Sequence, residues 1–522
     1  MVLWTILVVY LAVMIGIGIY CRNKTSNVSE FVLGGRNIGG WFTSFAYGTS
    51  YFSAVVFIGY AGQFGWMYGV SSTWIGIGNA LIGSLLAWIV LGRRTRIMSK
   101  HLQASTMPEF FEKRYNSKAL KTASALVVFV FLIPYTASVY NGLSRLFESA
   151  FHIPYDWCII GMAVFTAIYV IIGGYQATAI NDFVQGIIML IGIAAVVICA
   201  INNKGGLSSA ISQMGLIPNA AGQTGDYNSL LGPDPINLIG VVILTSLGTW
   251  GLPQMVQKFY AIKDDAAIRR GSIISTVFAL VVAGGSYFLG GFGRLFATLT
   301  GEEGKTAIST LANGKPDYDS IIPAVLNTAL PEILMGIVIV LVLSASMSTL
   351  SSLVLASSST LTIDLVKPRM KKGMDEKKQV LFIRIFIALF LIVSVVIAMN
   401  KNAYISTLMS ISWGALAGAF LAPFMYGLFS KKITKASVWA SIISGVGITV
   451  VHMCLFSMGW FPGLVEKVQS WNLKLNIMSP LNAGAFAMLF GLLLVPVVSL
   501  FTKVKDKEYV EEVFSCLKKT EK

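Results

Sequence analysis

The segment Ser344–Thr360 reads S-A-S-M-S-T-L-S-S-L-V-L-A-S-S-S-T and directly follows the apolar run L-M-G-I-V-I-V-L-V-L. On a helix, residues three, four and seven apart share a face, so Ala345, Ser348, Thr349 and Ser352 line up, with Ser351 beside them. Hydroxyls, joined by carbonyls that a helix break leaves free, are hard oxygen ligands that suit a small alkali cation. The same residues also serve close helix packing, where Ser and Thr stand in for Gly and Ala. Asp182, in A-I-N-D-F-V-Q-G-I-I-M-L-I-G, lies at the inner end of another apolar run. An ionisable group costs about 2.5–3.5 kcal/mol at mid-membrane and less near the end. It marks either an ion path or a carboxylate just reaching interfacial water.

These residues sit in a chain of 522 residues that is 55% hydrophobic and 12% charged, with mean hydropathy +0.73. Soluble proteins carry about 25% charged residues. Apolar runs long enough to cross a bilayer recur throughout, which predicts an all-α polytopic membrane protein. The first run lacks a basic leader and a small-x-small cleavage site, so it reads as a retained span with its N-terminus outside. We count 13 spans: 2–21, 41–61, 70–92, 122–144, 157–173, 179–201, 236–256, 271–296, 333–358, 379–399, 404–428, 436–457 and 481–502. This places about 31 of the 39 Lys and Arg inside, Arg22, Lys24, Lys258–Arg270 and Lys367–Arg384 among them. The net charge of +15 is then a topological signal and calls for no nucleic-acid partner. It predicts a plasma-membrane protein with a cytoplasmic C-terminus.

One transmembrane domain, 1–505, is expected: an extra N-terminal helix 2–21, a ten-helix core 41–428, two further helices 436–502, and a solvated tail 506–522. Segments 202–235 and 297–332 read as external loops with short lid helices. Segment 101–118 reads as an amphipathic interfacial helix capped by Ser105 or Thr106. Five scattered cysteines and three scattered histidines form no metal-ligand or catalytic spacing, and no phosphate-binding loop occurs, so neither an enzyme nor an ATP-driven pump is expected.

Two spans look broken. The run 41–61 contains Y-G-T-S-Y-F-S, and 236–256 contains T-S-L-G-T-W-G-L-P. Gly and Pro free backbone groups at membrane depth. Counted from the second span, these are helices 1 and 6 of the core, corresponding positions in two five-helix halves, as in inverted-repeat transporters with the site at the breaks.

The runs F-V-L-G-G-R-N-I-G-G-W at 31–41, G-T-S-Y-F-S-A at 48–54, G-G-Y-Q-A-T-A-I-N-D-F-V-Q-G at 173–186, G-L-P-Q-M-V-Q-K-F-Y-A-I-K-D at 251–264 and S-M-S-T-L-S-S at 346–352 together resemble the sodium:solute symporter family, that of the proline, pantothenate and sialic acid carriers. The resemblance implies a LeuT-like 5+5 inverted repeat of about 13 helices and Na⁺-coupled symport of a small organic solute: an amino acid, monocarboxylate or vitamin-like acid. A Na⁺-dependent membrane sensor on the same scaffold and a proton-coupled carrier are the alternatives. Carried across from the family, one Na⁺ takes the carbonyls of Thr49, Phe52 and Ala345 and the hydroxyls of Ser348 and Thr349. A second Na⁺, bound in some members, maps to Asp182, Ser348, Ser351 and Ser352.

The breaks nominate Ser50, Tyr51, Ser53, Trp74, Tyr135, Thr245, Thr249, Trp250 and Trp413 as solute-pocket residues, with aromatics walling the site and hydroxyls orienting the solute. Tyr51 stands where proline carriers have an aspartate, and Thr245 and Thr249 where they have Trp and Tyr. No arginine stands near Tyr135, where sialic acid carriers place one. The partners implied are the solute and the bilayer; no oligomer is required.

Overall fold

The computed structural model describes residues 2–21, 27–151, 153–219, 221–299, 305–311, 314, 316–370, 374–399 and 405–518. Arg22 and Lys24 of the charge pattern lie outside the described residues, as do parts of the loop 297–332 and the last four residues of the tail. Almost all of the described chain is helical, and its only ladder pairs Ala297–Thr298 with Thr306–Ala307.

Among the described residues, ten continuous helical runs are long and apolar enough to cross a membrane, or up to 11 if the bent pair Pro235–Gly251 and Pro253–Ala261 is one span. Two runs exceed one crossing. Val55–His101 has 47 residues and Tyr155–Asn203 has 49. At ~1.5 Å per residue each would reach roughly 70 Å, against a hydrocarbon core of about 30 Å. Each contains a glycine in the left-handed region, Gly69 at φ 62 and Gly174 at φ 54. The expected thirteen spans require dividing the runs at these two glycines.

The first broken helix starts at Gly40 and runs to Tyr51, where Phe52 turns extended at φ −100, ψ 125. The chain resumes helical structure at Val55. In a continuous helix Val56 N–H would serve the Phe52 carbonyl; here it donates to Ser53 O at 3.0 Å. The second broken helix, Pro235–Gly251, ends at Leu252, also extended at φ −86, ψ 125. Pro253 opens the next segment and has no N–H for the Thr249 carbonyl. The two segments bend by 46°.

The serine helix Glu332–Thr360 crosses the core, buried along nearly all its length. It packs against Tyr155–Asn203, the first broken helix and Pro253–Ala261. The first helix, Val2–Cys21, lies on Tyr155–Asn203, whereas Lys435–His452 and Pro480–Phe501 flank Ile405–Phe429. The loops do carry short helices, Leu207–Gly215 and Ile321–Ala329.

The helix Met107–Tyr115 is capped by Thr106, whose side chain accepts from Glu109 N. Phe110 and Phe111 are buried against Phe424 and Phe420, with ring centroids 5.1 and 5.6 Å apart. The expectation of a solvated tail is corrected. Lys507–Lys518 forms a helix whose apolar face, Val510, Val513 and Phe514, is buried. Arg114 stacks on Phe514 at 4.8 Å and Lys431 pairs with Glu511 at 2.6 Å. Spacing of three and four residues makes this charged segment amphipathic.

Candidate ion and solute site

The break at Phe52 faces the serine helix. Thr349 Oγ1 lies 3.4 Å from each of three carbonyl oxygens, those of Thr49, Ser50 and Phe52. One hydroxyl proton can satisfy one of these carbonyls, so the others keep unspent lone pairs. Ser348 Oγ donates to Thr49 Oγ1 at 2.8 Å, and Thr49 Oγ1 donates on to Phe45 O at 2.7 Å. Thr49, Phe52, Ala345, Ser348 and Thr349 are all buried. An oxygen-rich cluster with too few protons, sealed from water, fits a small hard cation. The Ser50 carbonyl belongs to this cluster and was not among the expected ligands. Its signal was the break itself, which frees consecutive carbonyls.

On a neighbouring helix, Asp182 is 1% exposed, so it is a buried carboxylate and not one that just reaches water. Neither carboxylate oxygen has a hydrogen-bond partner among the described residues. The nearest cation is Lys258, with Nζ 3.7 Å from Asp182 Oδ2. Lys258 Nζ donates to Ser352 Oγ at 2.9 Å, and Ser352 Oγ shares a 2.8 Å hydrogen bond with Ser50 Oγ. Ser351 Oγ instead donates to the Ser348 carbonyl at 2.8 Å. Lys258, counted from sequence among the inner loop charges, is 2% exposed within the bundle. Its neighbours Met255, Val256, Phe259 and Tyr260 already marked that segment as buried.

Above the ion cluster, Tyr51 bridges the two breaks, its hydroxyl donating to the Thr245 carbonyl at 2.8 Å. Its ring stacks on Trp413 at 6.2 Å, and Tyr135 meets the same indole edge-on at 5.8 Å. Trp413 Nε1 is buried with no acceptor among the described residues. Ser50 and Ser53 are buried at the break, and Ser53 Oγ accepts from Val55 N at 3.2 Å.

On the second broken helix, Thr245 Oγ1 donates to Asn79 Oδ1 at 2.8 Å, and Thr249 Oγ1 to Gly83 O at 3.0 Å. Trp250 Nε1 donates to Ile82 O at 3.0 Å, which turns it toward the helix-packing layer. Trp74 is not part of the group: it is 41% exposed and bonds to Leu230 O. Asn79, whose Oδ1 also accepts from Ser246 at 3.1 Å, joins the centre without having been expected. Side-chain type alone could not separate it from other membrane asparagines.

Toward the expected outer side, Arg145 pairs with Asp317 and stands 3.8 Å from Asp319. Ile405 N–H, at the start of the helix that carries Trp413, donates to Asp319 Oδ2 at 3.2 Å. Gln63 accepts from Ser406, and Tyr60 hydrogen-bonds Ser410 at 3.1 Å. On the opposite side, Thr106 Oγ1 donates to Asp364 Oδ2 at 2.6 Å, and Lys121 lies 3.6 Å from Asp364. Polar clamps therefore stand at both ends of the core.

Residues 31–445 match the model of the sodium:solute symporter family. A sodium/proline symporter from Staphylococcus aureus is 30% identical over 457 residues, covering 86% of this chain and 85% of that protein. The structure superposes on a Na⁺-coupled sialic acid symporter in a substrate-bound outward-open state, with TM-score 0.72 at 15% identity, covering 96% of this chain and 98% of that one. A nucleobase-cation-symport-1 family transporter in a closed conformation gives 0.52 at 11% identity, over 92% and 97% of the two chains. The helical architecture is thus the LeuT-like one. The chain belongs to the sodium:solute symporter family, a class of multi-pass membrane transporters rather than enzymes.

Proposed function

We propose that this chain couples Na⁺ to the movement of a small organic solute by alternating access. The observation that carries the reading is the Thr349 hydroxyl ringed by the carbonyls of Thr49, Ser50 and Phe52. With Ser348 and the Ala345 carbonyl they supply the ligands of one Na⁺. The bound ion would neutralise the converging oxygens and so tie the serine helix to the first broken helix. The same break carries Tyr51 into the aromatic group, so ion and solute bias one shared element.

The solute position is walled by Tyr51, Tyr135 and Trp413, with the Trp413 N–H as a donor in want of an acceptor. None of these is charged. A solute carboxylate would then rest on the indole N–H and on backbone amides of the broken helices. This favours a compact amino acid, monocarboxylate or vitamin-like acid with an apolar body. The proline carrier of Staphylococcus aureus supports the amino-acid class, whereas Tyr51, Thr245 and Thr249 argue for a side-chain preference of its own.

The test is the thermal stability of the purified protein in Na⁺ and in K⁺, across proline and other amino acids, monocarboxylates, pantothenate and sugars. A ligand that binds only the native state must stabilise it. One solute is expected to raise the melting temperature only when Na⁺ is present. No shift with Na⁺ itself would rule the ion cluster out.

A further inference from the structure

The four residues that correspond to a second Na⁺ site, Asp182, Ser348, Ser351 and Ser352, do not fit that ion here. A second Na⁺ would need the Asp182 carboxylate and free hydroxyl lone pairs around one point. The Ser352 hydroxyl instead accepts from the Lys258 ammonium at 2.9 Å, and the same ammonium is the cation nearest Asp182, at 3.7 Å. Ser348 Oγ donates to Thr49 Oγ1 in the first cluster, and Ser351 Oγ to the Ser348 carbonyl, so the contest at the second site is between Na⁺ and the Lys258 ammonium for Ser352 and Asp182. Both charged side chains are almost wholly buried, at 3% and 1% exposure.

Charge balance makes the same point. One buried carboxylate matches one buried cation. Adding Na⁺ beside Lys258 would set two positive charges against a single negative one, a few ångströms apart in a poorly screening interior.

We propose that the Lys258 ammonium is the resident cation of the second site, so that this transporter binds and couples one Na⁺ and not two. The inference rests on the Na⁺-coupled reading given above. Lys258 comes from the inner half of the second broken helix, Asp182 from Tyr155–Asn203, Ser352 from the serine helix and Ser50 from the first broken helix. A tethered ammonium thus holds together the four elements that an exchangeable ion would otherwise join. It cannot leave with the solute, so it supplies cohesion without electrical drive. Lys258 is therefore a residue that sets ion stoichiometry; it touches neither the solute position nor the first Na⁺ cluster.

The experiment counts radioactive Na⁺ bound at equilibrium to the purified full chain, beside the slope of Na⁺ activation in solute uptake. The wild type is expected to bind one ion, with a Hill coefficient near one. Lys258→Gln frees Asp182 and Ser352, and is expected to bind two with a steeper activation. Lys258→Arg keeps the charge and is expected to stay at one. The double variant Asp182→Asn with Lys258→Gln removes both charges together and returns the count to one, which also serves if Lys258→Gln alone does not fold.

Two ions in the wild type would overturn the proposal, and so would one ion in a folded Lys258→Gln protein. No bound Na⁺ in any variant would instead defeat the Na⁺-coupled reading itself.

Discussion

At the scale of single residues, hydroxyl placement decides the chemistry. Thr349 faces three carbonyls and Ser348 faces Thr49, which is the contact pattern the proposed Na⁺ cluster rests on. Removing one ligand to a charged species costs about 1.5–3 kcal/mol. Thr349→Ala is therefore expected to raise the Na⁺ concentration for half-maximal uptake by roughly 10- to 100-fold. Ser348→Ala should act in the same direction, with the circular dichroism spectrum unchanged. Equal Na⁺ dependence of both variants and the wild type would remove the assignment.

The aromatic group makes a separate prediction. Trp413→Phe keeps the ring but loses the unpaired indole N–H. It should weaken solute binding about tenfold, one hydrogen bond to a charged group, while leaving Na⁺-induced stabilisation intact. Isothermal titration and melting curves separate the two effects.

Among elements, the breaks matter more than the helices they interrupt. Gly251 at the end of Pro235–Gly251 shows why the second break tolerates so little. A Cβ there would stand 2.8 Å from Ala417 Cα and 2.9 Å from Leu421 N, both backbone atoms that cannot swing aside. Gly251→Ala is expected to cost about 1–3 kcal/mol, the usual cost of overpacking, and to lower the melting temperature. Because the strain falls against the helix that carries Trp413, solute affinity should fall with it.

The composition of the sequence exposed both breaks, since Gly, Ser and Pro cluster there. It could not tell that the helix Met107–Tyr115 is buried. Its apolar face fits equally well against lipid or against Phe420 and Phe424.

For the molecule as a whole, charges clamp the ends of the bundle. Asp319, buried beside Arg145, has its carboxyl pushed up from near 4 to about 6, because burial outweighs the attraction of the guanidinium. Its folded value lies above its unfolded one. The stabilising contribution is then fully present below about pH 4 and lost as pH rises through 6. The wild type should gain about 1 kcal/mol of stability between pH 7 and pH 5, relative to Asp319→Asn measured in parallel. Equal pH dependence in the two proteins would refute this.

The tail helix makes a second prediction at this scale. Deleting Lys507–Lys518 exposes the surface beneath Val513 and Phe514, each worth about 1.5–3 kcal/mol when buried. The melting temperature should drop while the Na⁺ dependence of uptake stays fixed, because the tail helix packs chiefly on Arg93–His101.

What the sequence determined by itself follows from local and one-dimensional properties. Hydropathy defines the apolar runs, the Lys and Arg bias predicts their orientation, helical spacing aligns Ser348, Thr349 and Ser352, and Gly–Pro clustering marks the breaks. Each depends only on neighbours along the chain. Tertiary structure alone decided which partners those residues meet. Lys258 reads as a loop charge until Pro253–Ala261 turns it inward to Ser352 and Asp182. Trp74 reads as a pocket wall until its helix turns it outward, and the tail reads as solvated until its apolar stripe finds Arg114. Pairing of buried charges is a long-range matter. Lys258 and Asp182 are 76 residues apart in the chain, and only the packing of separate helices brings them within a few ångströms.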